Sequence, residues 1–160
     1  MVSESAIRTA IVAKIREADD TAKVHRRWRY PAQNRLAEFA NLFRDEQGKI
    51  NGYMMRRIRR DPEMRGIPAR LVSVSQIFAI RFYSQLIDND DPAIASEENT
   101  QARIDALAAE FETDVQMGLG NTVFHAGLQM PLDLVDVILG DAAAHRADFR
   151  LEVTTANVEC

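Results

Sequence analysis

A chain of 160 residues, 46% apolar and 28% charged, has the length and balance of one soluble globular domain and leaves no apolar run long enough to span a bilayer. Its only cysteine, Cys160, excludes an internal disulfide and a cysteine-based metal site, so redox chemistry is not expected. The net charge of −4 hides a segregation: residues 1–70 carry 16 of the 20 Lys and Arg but 9 of the 24 Asp and Glu, an excess of seven positive charges, against an excess of eleven negative charges over residues 71–160. A subunit with one basic and one acidic region suits head-to-tail packing, which closes into rings or runs on as filaments. If the segments instead fold side by side, the charges mix on an ordinary solvated surface.

The first predicted element is an amphipathic helix over residues 4–18. Ile7, Ile11, Val12 and Ile15 recur there at helical spacing behind Ser3 and Ser5 as possible caps, and the polar run Ala18 to Thr21 ends it. This segment lacks the continuous apolar core of a signal peptide, so synthesis in a cytosol without secretion is expected. Lys23 to Tyr30 reads as a short strand, with Val24, Arg26, Trp28 and Tyr30 alternating against His25, Arg27 and Arg29. Pro31 suits the first turn of a second helix, whose apolar stripe of Leu36, Phe39, Ala40, Leu42 and Phe43 runs up to Gln47 and Gly48.

Ile50 to Ile58 is expected as a strand, and Asp61 to Pro68, punctuated by Pro62, Gly66 and Pro68, as a loop and candidate mobile arm. The clearest strand runs from Val72 to about Leu86, with Val72, Val74, Phe78, Ile80 and Phe82 on one face; its length predicts a bend or a protruding ribbon. After the acidic turn Asp88 to Pro92, Ser96 with Glu97 and Glu98 predicts a helix start, followed by a stripe of Ile104, Leu107, Ala108, Phe111 and Val115. Gly118, Gly120 and Asn121 stop that helix, and strands are expected at about Val123 to Leu128, Leu134 to Leu139 and Ala147 to Thr155. The order predicts an α+β fold, a single domain over residues 1–160 with an antiparallel or mixed sheet, about three helices and a long β-hairpin or ribbon.

Nothing in the spacing calls for catalysis. His25, His125 and His145 are scattered, without a metal-binding His pair or a nucleophile motif, and no catalytic residue, cofactor or metal is expected. Asp88 to Asp91 resembles the start of a calcium loop, but Pro92, Ile94 and Asn99 stand where that loop needs other residues, so a solvated turn is expected. Gly118 and Gly120 follow a helix instead of joining a strand to one, and Glu110, Glu112 and Asp114 are expected mostly to face water. The strong polar signal is arginine: Arg26, Arg27 and Arg29 on one expected strand and Arg56, Arg57, Arg59 and Arg60 on the next, interleaved with Trp28, Tyr30 and Tyr53. Such groups bind nucleic acid through phosphates and stacking, and they also anchor protein interfaces. With the second half strongly acidic, the protein-interface reading is favoured, and Arg27, Trp28, Arg56, Arg57, Arg59 and Arg60 are the expected contacts.

The run Val24-His25, Arg29, Phe39, Leu42-Phe43, Lys49 to Tyr53 and Arg56 resembles small tail-terminator or neck proteins of long-tailed bacteriophages. The similarity continues through Phe78 to Tyr83 as a long strand, Asp91 and Ser96-Glu97 opening a helix, Phe111 late in it, and His145 before a closing strand. Tyr53 stands where the pattern has Trp, and the Asp61 to Pro68 loop and the Pro92 to Ala95 insertion follow it loosely. The resemblance implies a structural virion protein, not an enzyme, made in the host cytoplasm and placed in the tail or neck. It implies a homo-oligomer, commonly a hexameric ring, that seats on the tail tube protein, stops tube growth and meets the head-tail connector proteins. DNA would pass through the lumen without specific binding, and no membrane is involved. The alternatives are a head-completion or connector protein and a nucleic-acid-binding module using the arginines.

Overall fold

The structure is a computed structural model that describes residues 2–33, 35–64, 71–91, 96–131 and 133–158. Part of the expected mobile arm, the Pro92 to Ala95 insertion and Cys160 lie outside the described residues. Helix α1, Glu4–Ala18, is capped by Ser3, whose Oγ accepts the Ala6 N–H at 3.1 Å. Its periodicity turns Ile7, Ile11 and Ile15 to the core at full burial, a contribution of about 1.5–3 kcal/mol each. Helix α3, Ser96–Thr113, faces α1 across that core with Ile104, Leu107 and Phe111.

Between the helices the chain lays down β1 (Lys23–His25), α2 (Leu36–Asn41), β2 (Asn51–Met64) and β3 (Leu71–Gln85); after α3 come β4 (Val123–Gln129), β5 (Val135–Leu139) and β6 (Ala142–Val158). The six strands form one mixed sheet in the order β1-β2-β3-β6-β4, with β5 also paired to β6. Among the described strands only the three-residue β1–β2 pairing is parallel. This is the expected α+β architecture of three helices against a mixed sheet, and β2, β3 and β6 supply the long ribbon.

Alternation along the strands divides the sheet into two unlike faces. Tyr53 and Met55, Phe78, Ile80 and Phe82, and Ala147, Phe149, Leu151 and Val153 point to α1 and α3 and close the main core. Tyr53 stacks on Phe82 with ring centroids 4.4 Å apart. Among the described residues, the opposite face is covered only at one end. There α2 and the turns after it bring Phe39 and Phe43 onto Met54, Tyr83 and Ala144, with Trp28 at the border of this smaller cluster.

Several expected boundaries are corrected. The strand at Lys23 ends at His25, because Arg26 turns back to the Ser5 carbonyl at 3.0 Å while Trp28 swings across the sheet. Helix α2 begins at Leu36, not Pro31, and ends at Asn41; Leu42, Phe43 and Arg44 close tighter turns that seat Phe43 in the core. Asp61 to Met64 belongs to β2, with Pro62 paired to Val74, so that half of the expected loop is strand. Pro is tolerated there because β1 covers only Gly52 to Met54 and leaves the outer edge of β2 unpaired beyond it. β6 starts five residues before the expected Ala147, since Ala142 to Arg146 pair with β5.

Candidate functional site

The uncovered part of the second sheet face is the candidate site. Beyond Trp28 it displays Arg56 from β2, Ala79 and Arg81 from β3, and Arg146, Asp148 and Arg150 from β6, brought into rows by strand register. Trp28 is held by two guanidiniums, those of Arg56 and Arg81, 4.5 and 4.9 Å from its ring. Such a contact contributes roughly 0.5–1 kcal/mol when exposed. Arg56 also donates to the Tyr30 hydroxyl at 3.4 Å. Arg81 makes a two-pronged pair with Asp148 at 2.5 and 3.0 Å. Burial pulls against the Arg81 charge, but the Asp148 carboxylate outweighs it and holds the guanidinium more firmly protonated than usual.

Beside these residues lies an open cleft of about 520 Å³, whose floor includes Ala79 and Arg150 and whose wall is the β4–β5 connection at Met130 and Pro131 with Val135 at the start of β5. Ile58, Met130 and Val135 are each 40% or more exposed around it. Ile58 owes its position to a break in register between Arg57 and Arg59, a bulge that also decides where the following arginines point. The surface therefore mixes arginine, tryptophan and exposed aliphatic groups with a few carboxylates, a composition that fits protein contact better than the enclosure of a small substrate.

The arginines expected to act together are divided between the two faces. Arg56 lies on the open face, and Arg59, paired with Ile77 beyond the bulge and bridged to Asp61, joins it. Arg57 points the other way and meets Glu4 of α1 at 2.8 Å and Gln76 at 3.3 Å. Arg60, opposite Gln76, lines a small cleft with Arg57 and Glu4 on that side. Arg27 is exposed in the segment after β1, and Trp28 reaches the open face. Arg146 and Arg150 were missed by sequence reading, because isolated arginines in an alternating strand carry no cluster signal until register sets them beside Ala79 and Tyr83.

The acids also divide. Lys14, buried in α1, reaches Glu17 at 2.7 Å, Asp114 at 3.1 Å and Glu110 at 4.0 Å, so Glu110 and Asp114 turn to α1 and only Glu112 keeps the expected exposure. The hydrogen bond to Glu17, outweighing burial, raises the Lys14 pKa, and the bond from Lys14 lowers that of Asp114. Burial pushes Asp19 up, but Thr21, Asn51 and Arg103 together bring it below the usual carboxylate value. Most described ion pairs stay within their own half of the chain; those of Lys14 with Glu110 and Asp114 and of Arg103 with Asp19 cross between halves.

One arrangement has the order of a nucleophile, base and acid: Ser96 Oγ lies 2.8 Å from His145 Nε2, and His145 Nδ1 lies 2.7 Å from Asp136 Oδ1. Here the serine is a clamp. Its Oγ accepts the Ile87 N–H at 2.7 Å, its own N–H is spent on the Ile87 carbonyl, and it is 7% exposed, so no carbonyl substrate reaches it in this conformation. The network ties the start of α3 to β5 and β6. Among the described residues no group of three or more His, Cys, Asp or Glu is placed to hold a metal ion, and no helix is long and apolar enough to cross a membrane. No protein-family model and no curated protein matches the chain.

Proposed function

We propose that this chain is a tail-terminator-like neck protein of a long-tailed bacteriophage, a structural subunit that forms a ring on the tail tube and joins it to the head-side connector. The observation that carries the reading is the broad open sheet face, where an arginine-held tryptophan borders an apolar-rimmed cleft that α2 leaves uncovered. A face of this kind supports a role in assembly, because exposed aliphatic groups beside arginine and tryptophan are stabilised by a protein partner. The segments that carry the resemblance fall on structural positions: Lys49 to Tyr53 leads into β2, Phe78 to Tyr83 lies in β3, and Ser96 starts α3.

The direct test is to add the purified protein to its polymerising tail tube protein and measure tube lengths and end density by electron microscopy. Short tubes capped at one end are the expected result; tubes of unchanged length without caps would refute the terminator role. Binding to the head-side connector without capping would identify a head-completion protein. The nucleic-acid reading draws on Arg56, Arg59 and Arg150 sharing one face, but Asp61, Asp148 and Glu152 stand among them. It predicts tight DNA or RNA binding that weakens steeply with salt.

A further inference from the structure

We infer that the open sheet face receives the outer face of α3 from a second copy of this chain, through a row of Arg56, Ala79 and Arg150. The inference rests on the ring-forming reading above and names the surfaces that would make the ring. Register sets Arg56 of β2 opposite Ala79 of β3, and Ala79 opposite Arg150 of β6. Two strand spacings place the arginine backbones about 9.6 Å apart, with only a methyl group between them. Among the described residues Arg150 makes no ion pair, and Arg56 is engaged only by Trp28 and Tyr30.

The complementary feature is on the far side of the same subunit. Glu98, Asp105 and Glu112 recur every seven residues along α3, are exposed, and have no ion pair among the described residues. Seven residues of helix advance about 10.5 Å, which matches the arginine separation to within about 1 Å. Ala102 and Ala109 lie between the carboxylates on the same stripe, also exposed, so the helix can approach the Ala79 trough closely. A helix laid along the row sets successive carboxylates against the two guanidiniums.

Because α3 packs on the opposite face of the sheet from Arg56 and Arg150, the two surfaces of one subunit point away from each other. A contact between them is heterologous, the type that propagates into rings or filaments, not a two-fold dimer. The contact draws on both halves of the chain: β2 supplies Arg56 from the basic half, while β6 supplies Arg150 and α3 its acids from the other.

The test is a charge swap read by native mass spectrometry and mass photometry. One variant carries Glu98→Lys, Asp105→Lys and Glu112→Lys; the other carries Arg56→Glu and Arg150→Glu. Each alone is expected to lose the oligomer while keeping its circular dichroism spectrum. An equimolar mixture is expected to regain it with one-to-one stoichiometry, since each altered helix then meets an altered sheet. A neutral set, E98Q/D105N/E112Q, covers misfolding of the lysine variant and should weaken association without abolishing it. If the wild type assembles and folded variants assemble equally well, or the mixture of folded variants stays dissociated, the ring uses other surfaces and this inference fails while the ring reading stands. A wild type that stays monomeric at every concentration takes both down.

Discussion

At the scale of single residues, the strongest commitments are made by side chains that join elements. Gly140 opens the two-residue turn between β5 and β6 with φ +70°, and a methyl there would meet the Ala37 backbone nitrogen at 2.8 Å. Gly140→Ala is therefore expected to cost more than about 1 kcal/mol, read as a lower urea midpoint, because both the backbone conformation and the seat of α2 are disturbed. Arg57 and Arg56 should behave oppositely despite being neighbours. Arg57→Glu sets a carboxylate beside Glu4 and should lower the thermal midpoint, whereas Arg56→Glu should act mainly on association. Equal loss of stability in both variants would contradict the division of the arginines between faces.

The Lys14 cluster has its own pH signature. Asp114 and Asp19 have depressed pKa values, so their contributions are present above the ordinary value of 3.8 and vanish as pH falls below it through the folded values. Lys14 is raised, so its contribution is complete below 10.5 and disappears as pH rises past that point through the folded value. Asp114→Asn is expected to flatten stability against pH at both extremes, measured by urea unfolding across the range. Unchanged acid and alkaline limbs would show that the α1–α3 clamp contributes nothing.

At the scale of elements, the ladder of β3 against β2 and β6 is the frame on which everything else is placed. Phe82→Ala removes a fully buried ring stacked on Tyr53 and should cost roughly 3–5 kcal/mol in equilibrium unfolding. Elements with a regular apolar period were legible in the sequence: Ile7, Ile11 and Ile15 marked α1, Phe78, Ile80 and Phe82 marked β3, and Ser96 marked the start of α3. Elements whose limits depend on a distant partner were not. The alternation from Lys23 to Tyr30 continues past the point where β2 accepts a neighbour, and Ala142 and Ala143 become strand because β5 folds back on them. The candidate face was half legible. Trp28 and Arg56 stood out in the arginine cluster, but the bulge after Arg57 that sets Arg59 on the open face and the register that adds Arg150 are properties of pairing, not of composition.

At the scale of the whole molecule, folding mixes the segregated charges: arginines of the basic half divide between the two sheet faces, and Arg150, Asp148 and Glu152 of the acidic half join Arg56 on the open one. The main core lies on one side of the sheet under α1 and α3, α2 covers one end of the other side, and the rest of that side stays open. Association through exposed arginines and carboxylates should weaken as salt rises, since screening shortens their reach to about 10 Å at 0.1 M ionic strength. The apolar rim at Ile58, Met130 and Val135 should leave a residual, less salt-sensitive component. A shift from oligomer to monomer with salt, seen in sedimentation velocity, would separate the two contributions.

We propose above all that this chain is a ring-forming structural subunit. It is tested most directly by native mass spectrometry of the wild-type chain at low and moderate salt, with negative-stain imaging of the same sample. Closed hexameric rings, fewer of them as salt rises, are the expected result. A chain that remains monomeric across concentration and salt would overturn it.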